Sequence, residues 1–231
     1  MPPIQGLVFD AYGTLFDVHS IGRLAESLYP GSGPAISNLW RDKQIEYSRL
    51  VSLSDPAASG TRHYQSFWEL TQAALVYSLQ RLGLAHTPAQ VQALMDQYAK
   101  LDAFPECASV LQALHQAGLP LAILSNGSPA MLQSAADHAG LTPFLQHLLS
   151  VDSVRQFKTH PAAYALASQT LGVPTEALLF VSSNGWDIMG AAWYGFQTCW
   201  INRGQFPNET IGPRPQHQGS SLHIVREVVG V

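Results

Sequence analysis

Four groups of polar residues in this 231-residue sequence have side chains suited to a reaction in which a carboxylate is the nucleophile. Asp10 is a candidate nucleophile, and Lys158 is a cation that would favour its ionised form. Hydroxyl and amide donors in the other groups suit a bound anion or a developing oxyanion. The groups are Asp10-Ala11-Tyr12-Gly13-Thr14, Ser125-Asn126, Lys158 and Ser182-Ser183-Asn184-Gly185-Trp186-Asp187.

Asp10 directly follows an apolar run, Leu7-Val8-Phe9, that has the composition of a buried strand, and Gly13 permits a tight turn after it. In an open parallel sheet, ligands bind in the crevice beyond the carboxyl ends of the strands. Asp10 would then point at a substrate. The strand alone also allows the plainer interpretation that Asp10 only accepts hydrogen bonds from turn N–H groups.

The elements that must position these groups fall into two patterns. Residues from about 18 to 100 show no strand pattern and predict helices. On the second of these helices, Arg41 and Ile45 lie one turn apart on one face. The predicted elements are a short helix over 21–28, a helix capped by Ser37 and running to about 51, a loop over 55–60, a helix over 61–82, and a helix that begins with Thr87-Pro88.

From Phe104 onward, helices alternate with apolar strands, and this pattern predicts a parallel sheet with helices on both faces. We expect an α/β core formed by residues 1–17 and 101–231. Residues 18–100 would form an inserted helical cap that closes over the strand ends. The predicted strands span 119–124, 148–151, 178–181 and 198–201, the helices 108–116, 129–138, 161–171 and a segment ending at 194, with an irregular tail over 207–219 and a last helix over 221–228.

Composition excludes several classes of function. A net charge of −4 and a pI near 6.1 leave no basic surface for nucleic acid. No apolar stretch is long enough to span a bilayer, and the N-terminus does not have the pattern of a signal peptide. Two cysteines far apart in sequence, Cys107 and Cys199, are typical of a reducing compartment, so we expect a cytoplasmic protein.

The order of these motifs resembles the haloacid dehalogenase superfamily over essentially the whole chain, which implies a Rossmannoid parallel sheet with a helical cap. Four features resemble the L-2-haloacid dehalogenases in particular. They are Tyr12 two residues after Asp10, the Ser182-Ser183-Asn184…Asp187 signature, the spacing from Lys158 to Tyr164, and a cap arginine, Arg41. The resemblance implies hydrolysis of short L-2-haloalkanoic acids to 2-hydroxy acids and halide.

Phosphatases of the superfamily are the competing interpretation. They carry a second aspartate two residues after the nucleophile, to protonate the leaving group, and further acids that hold magnesium. This chain has Tyr12 at the first position and Asp187 alone at the fourth motif. A halide leaves without a proton, so the missing acid suits carbon–halogen cleavage.

Charge balance also argues against a metal or any other cofactor. If Asp10 and Asp187 face Lys158 and Arg41, two anions meet two cations, and the carboxylates stay ionised without a metal. The nine histidines show no metal-ligand spacing. We therefore expect a small-molecule 2-haloacid as the partner.

By resemblance, Asp10 displaces the halide and forms an ester, which water then hydrolyses at the Asp10 carbonyl. Lys158 keeps Asp10 ionised. Ser182, Asn184 and Asp187 orient Lys158 and the water, with Asp187 as general base. For Ser182, a simple turn-capping role is the alternative. Thr14 would donate to Asp10 or to the oxyanion.

The resemblance also implies a binding site for the substrate. Ser125 and the N–H groups after Gly127 would hold the substrate carboxylate, while Arg41 and Asn126 would receive the halide. An arginine in this helix is otherwise expected at the surface. Tyr164 would steady Asp10 or Lys158, and an apolar pocket would be formed by residues that are otherwise plain core: Tyr12, Ile45, Phe67 and Trp186.

Two further interpretations fit less well. A binding module on this fold would lack the nucleophile or Lys158, and both are present. A serine hydrolase would need a Gly-x-Ser-x-Gly turn, which does not occur.

The family resemblance implies a homodimer.

Overall fold

A computed structural model of the protein describes residues 2–55 and 62–231. Within these residues the strands form a parallel sheet of order β3-β2-β1-β4-β5-β6, with β1 in the interior. This agrees with the α/β class predicted from the alternating pattern. The strands are β1 (Gly6–Phe9), β2 (Leu121–Ser125), β3 (His147–Ser150), β4 (Leu178–Ser182), β5 (Gln197–Ile201) and β6 (His217–Gly219).

Helices cover both faces of the sheet. On β1, Leu7 and Phe9 pack into the core cluster that α5, α6 and α9 join, whereas Val8 faces the cluster built with α7 and α8. The alternation follows from the two-residue period of a strand. The helices are α1 (Ile21–Leu28), α2 (Gly33–Ser54), α3 (Phe67–Arg81), α4 (Pro88–Tyr98), α5 (Cys107–Gln116), α6 (Pro129–His138), α7 (Pro161–Leu171), α8 (Gly185–Tyr194) and α9 (Ile224–Val229).

Helices α1–α4 follow β1 and precede α5 in the sequence, and they pack against one another. The two segments that connect them to the sheet run side by side. Phe16 forms an antiparallel bridge with Ala103, and the Asp17 N–H donates to the Asp102 carbonyl at 2.8 Å. Both connections therefore leave the sheet at one place.

Two predicted helix starts are wrong. Ser37 does not cap α2, because Pro34 occupies the first turn and the helix begins at Gly33, which leaves Ser37 buried inside it. Helix α3 begins at Phe67 because Ser66 forms a capping box with Glu69. Residues 62–66, within the predicted helix, are not helical, while residue 61 and the predicted loop over 55–60, apart from Asp55, lie outside the described residues.

The tail was predicted to be irregular, but it contains β6. His217 pairs with Cys199 and Gly219 with Ile201, which adds a parallel strand beside β5. The three polar or small residues of β6 have no apolar alternation, and its pairing depends on backbone hydrogen bonds.

The helices predicted over 129–138 and 161–171 have the observed bounds. No described helix is long and apolar enough to cross a membrane.

Candidate active site

The polar groups meet at the carboxyl edge of the sheet. Phe9 is in register with Ile123 of β2 and Val181 of β4, so the residues that follow these strands lie side by side. The Asp10 N–H continues the ladder by donating to the Val181 carbonyl at 2.9 Å. Strand register therefore carries Asp10 and Ser182 to the same level.

Asp10 is only 5% exposed, and its carboxylate is hydrogen bonded through both oxygens. Its Oδ1 accepts from Lys158 Nζ at 3.1 Å. Its Oδ2 accepts from Thr14 Oγ1 at 2.9 Å, Asn184 Nδ2 at 2.8 Å and Ser182 Oγ at 3.3 Å. Asp10 is therefore held by the side chains of distant segments, and a turn-only role does not describe it.

Lys158 lies buried between two carboxylates. Its Nζ donates to Asp10 Oδ1 and, at 2.9 Å, to Asp187 Oδ2, and it lies 5.0 Å from the ring centre of Phe180. Burial alone would lower the pKa of Lys158, but the two carboxylates outweigh it and raise the pKa above the ordinary lysine value. Lys158 therefore remains an ammonium ion.

Asp187 is fully buried at the start of α8. Its Oδ1 accepts from the Tyr164 hydroxyl at 2.7 Å, and its Oδ2 accepts from Lys158. Burial raises the pKa of Asp187 to about 6, although Lys158 opposes the shift. A carboxylate with a pKa near neutrality is suited to accept a proton.

Ser182 has two roles in the geometry. Its Oγ accepts the Asn184 N–H at 3.1 Å, as the turn-capping interpretation requires. The same hydroxyl lies 3.3 Å from Asp10 Oδ2 and 3.3 Å from Asp187 Oδ2, so its proton can go to either carboxylate. Thr14 is fixed similarly, because its Oγ1 accepts from the Ser183 N–H at 2.8 Å while donating to Asp10.

Arg41 reaches this edge from α2 and is not a freely solvated side chain. Its Nη2 donates to the Tyr12 carbonyl and to Asn184 Oδ1, both at 3.3 Å. Its Nη1 donates to Gln44 Oε1 at 2.8 Å. Since Asn184 donates to Asp10, the Arg41 guanidinium is one hydrogen-bonded residue away from the carboxylate.

Ser125 and Asn126 secure the loop after β2. Ser125 Oγ accepts the Gly127 N–H at 3.1 Å, which leaves its O–H proton as a donor. Asn126 Oδ1 accepts the Lys158 N–H at 2.9 Å. Asn126 therefore contacts the backbone of the lysine that holds Asp10.

The predicted apolar residues lie in three places and do not line one pocket. Tyr12 and Phe67 are buried with ring centres 6.0 Å apart, and a Cβ at position 127 would lie 2.8 Å from the Tyr12 ring, so only glycine allows this approach. Ile45 lines a cleft of about 700 Å³ together with Arg41 and Asn184. Trp186 is half-buried, with the Arg49 guanidinium 5.0 Å from its ring.

Arg203 was missed by sequence reasoning. It follows the end of β5, and the strand-end rule could have found it. Its guanidinium stacks 3.7 Å from the Phe104 ring centre and donates to Ser183 Oγ at 2.7 Å, the Thr14 carbonyl at 3.2 Å and Glu106 Oε1 at 2.7 Å. Arg203 ties together the loops that carry Thr14 and Ser183.

Among residues 2–55 and 62–231, no three His, Cys, Asp or Glu side chains cluster to hold a metal ion. Asp10 and Asp187 are instead bridged by the Lys158 ammonium. The Lys158 ammonium supplies a positive charge between the two carboxylates.

Comparison with known proteins gives a consistent assignment. A family model described as a haloacid dehalogenase-like hydrolase matches residues 4–195. The (S)-2-haloacid dehalogenase of Pseudomonas sp. strain YL is 44% identical over 228 residues, which cover 99% of this chain and 95% of that protein. One L-2-haloacid dehalogenase crystal structure has a TM-score of 0.96 at 49% identity, with 100% of both chains covered. The Xanthobacter autotrophicus L-2-haloacid dehalogenase, with chloropropionic acid covalently bound, has a TM-score of 0.88 at 38% identity over 98% of both chains.

The fold and the match to the family model define the class of protein. The chain belongs to the haloacid dehalogenase-like hydrolase family. Within that family it groups with the L-2-haloacid dehalogenases. This confirms the resemblance predicted from Tyr12, Arg41, the Lys158–Tyr164 spacing and the motif that ends at Asp187.

Proposed function

We propose that this protein is an (S)-2-haloacid dehalogenase that hydrolyses short L-2-haloalkanoic acids through an ester on Asp10, without a metal. The observation that carries the proposal is the Lys158 ammonium bonded to both Asp10 and Asp187, with Tyr12 where a phosphatase would place its acid. A covalently bound chloropropionic acid in the Xanthobacter autotrophicus relative supports an ester intermediate.

In the first step, Asp10 Oδ1 attacks the halogen-bearing carbon. This oxygen accepts one hydrogen bond, from Lys158, whereas Oδ2 accepts two, from Thr14 and Asn184, and lies 3.3 Å from the Ser182 hydroxyl, so Oδ1 has more lone-pair capacity left for the attack. In-line displacement inverts the carbon and releases halide with the bonding electron pair. The new bond joins that carbon to Oδ1.

In the second step, water attacks the Asp10 carbonyl carbon. The charge that develops on Oδ2 is stabilised by the Thr14 hydroxyl and the Asn184 amide, which already donate to that atom. Asp187 takes one proton from the water, and the tetrahedral intermediate collapses with cleavage of the ester bond. The departing alkoxide takes that proton from Asp187 and leaves as the 2-hydroxy acid, while Asp10 gives up the second water proton to solvent and returns to a carboxylate. Ser182 and Tyr164 hold Asp187 in place during the transfer.

Substrate binding uses the remaining donors. Ser125 and the N–H groups at the start of α6 hold the substrate carboxylate, because helix N-termini attract anions. Arg41 and Asn126 receive the halide, and Tyr12 contacts the substrate's alkyl group. The remaining residues assigned to the apolar pocket are Ile45, Phe67 and Trp186.

The helical segment over residues 18–100 acts as a cap on a core of residues 1–17 and 101–231. Arg41 and the cleft beside it support this division, because a cap residue completes a site built on the sheet.

We also expect a cytoplasmic homodimer. Light scattering would measure the mass in solution.

The decisive test is halide release from L- and D-2-chloropropionate in excess EDTA. We expect chloride from the L isomer alone, at a rate that EDTA does not change. An aryl phosphate with magnesium serves as the parallel substrate. Phosphate release that requires magnesium, with no chloride from either isomer, would establish the phosphatase alternative instead.

The pH profile follows from Asp187. Its charged and titratable neighbours are Lys158, Asp10 and Tyr164, and burial raises its pKa to about 6. Below that pH the carboxyl is protonated and accepts no proton from water, so kcat should fall about tenfold per pH unit. Steady-state rates between about pH 5 and pH 8 measure this.

The contribution of Asp187 itself to stability should change in the opposite direction across this window. The pKa of Asp187 is higher in the folded chain than in the unfolded one, so its contribution to the unfolding free energy decreases as pH rises towards 6. Denaturant melts in the same buffers distinguish a loss of activity by titration from acid unfolding. An acid limb that persists in Asp187→Asn would assign the titration to another group.

A further inference from the structure

A buried polar cluster lies behind Arg41, where three helices meet. It consists of Gln44 on α2, Thr71 on α3 and Tyr98 at the end of α4. Gln44 is 1% exposed, and burying an amide is costly unless its groups are hydrogen bonded. Each of the two other side chains bonds to Gln44, so the cluster is organised around its amide.

Thr71 determines which way the Gln44 amide points. The Thr71 hydroxyl donates its single proton to the Phe67 carbonyl at 2.6 Å, so towards Gln44 it can only accept. Gln44 therefore presents its Nε2 to Thr71, also at 2.6 Å, and turns its Oε1 to Arg41. The reverse orientation would place an amide donor against the guanidinium, which has only donors.

The bond to Gln44 orients Arg41. A guanidinium is planar, so anchoring Nη1 at 2.8 Å fixes the direction of Nη2, which reaches Asn184 Oδ1 and the Tyr12 carbonyl. The anchor is a neutral carbonyl. It holds Arg41 without cancelling the positive charge that an anion in the site would meet.

We propose that Gln44 is a positioning residue that aims the Arg41 guanidinium at the departing halide, with Thr71 fixing the Gln44 amide. This rests on the proposed function, in which Arg41 receives that halide. Neither Gln44 nor Thr71 touches the reacting atoms. Their effect reaches the reaction through Arg41.

The test compares four variants: Gln44→Glu, Thr71→Val, Thr71→Ser and Arg41→Lys. Gln44→Glu is nearly isosteric but pairs its carboxylate with Arg41, and we expect kcat/KM to fall about tenfold or more. Thr71→Val removes the acceptor that orients Gln44 and should give a smaller loss. Thr71→Ser keeps the hydroxyl and is the matched control, with near wild-type kinetics.

Two readouts separate positioning from a merely structural role. The loss in Gln44→Glu should be larger for L-2-chloropropionate than for L-2-bromopropionate, because chloride is the poorer leaving group. In the Arg41→Lys background, the same substitution should cost little more, since coupled residues are not additive. Equal losses in both backgrounds, or wild-type kinetics in Thr71→Val, would overturn the proposal. Gln44→Met replaces Gln44→Glu if circular dichroism shows that the latter is unfolded.

Bromide binding tests the inference without turnover. Bromide should raise the melting temperature of the wild-type protein and have much less effect on Gln44→Glu and Arg41→Lys. An equal rise in all three would contradict the role of Gln44. If the wild-type protein releases no halide from any 2-haloacid, the proposed function fails, and this binding comparison still tests whether Gln44 prepares Arg41 for an anion.

Discussion

Replacing Asp10 with alanine is expected to abolish halide release from L-2-chloropropionate, with a fall in kcat of at least about 10⁴-fold. In the proposed mechanism the variant loses the atom that forms the bond to carbon, and Asp187, the other carboxylate bonded to Lys158, is fully buried at the start of α8. Rates of chloride release and circular dichroism spectra measure the activity and the fold.

Asp102→Ala is the matched control, since this aspartate is exposed and pairs only with the exposed Arg23 and His138 side chains among the contacts described. Its activity should equal that of the wild-type protein. The source of the product oxygen gives a second test. In a single turnover in ¹⁸O-water, the label should enter Asp10 and not the 2-hydroxy acid. Label in the first product would mean direct attack by water and would contradict the ester.

Lys158→Met should cause the second large effect. The substitution leaves Asp10 and Asp187 without the cation that bridges them, inside a site that is almost closed to solvent. Removing one partner of a buried ion pair costs about 3–5 kcal/mol of stability. We also expect kcat to fall about 10³-fold, because one carboxylate must take up a proton.

The destabilisation should depend on pH in a defined direction. In Lys158→Met the pKa of Asp187, which burial raises, loses the opposing effect of Lys158 and rises further in the folded state, so stability is greatest at acidic pH and is lost as pH rises through that pKa. Denaturant unfolding at acidic and neutral pH measures it. Lys100→Met, at an exposed position, is the control and should change neither value. A destabilisation that is the same at both pH values would show that the charge of Lys158 is not its cause.

The sequence predicted the sheet edge well because strand ends follow a simple rule. The apolar runs before Asp10 and Ser182 have the composition of buried strands, and parallel topology brings the ends of such strands together. The helices over 129–138 and 161–171 were predicted equally well, since each begins with a proline, which is favoured in the first turn of a helix.

Other features depend on contacts that one sequence does not reveal. Gln44 lies one turn from Arg41, a spacing that suggests contact, but its orientation depends on Thr71 of another helix. Strand β6 has no apolar pattern of its own and forms because β5 offers a free edge. The placement of Tyr12 against Gly127 requires the folded loop after β2.

The interior position of β1 links the reaction to the cooperativity of the fold. Every residue of β1 is buried, and the strand is paired on both sides, so its amides exchange with solvent only when most of the sheet unfolds. Asp10 directly follows this strand and continues its ladder through the Val181 carbonyl, so we expect its backbone to share that protection. Arg41 belongs to α2, outside the sheet, where Gln44, Asn184 and the Tyr12 carbonyl hold its guanidinium. In the proposed reaction, bond exchange is thus assigned to the end of an interior strand, and the departure of the halide to a helix that is not part of the sheet.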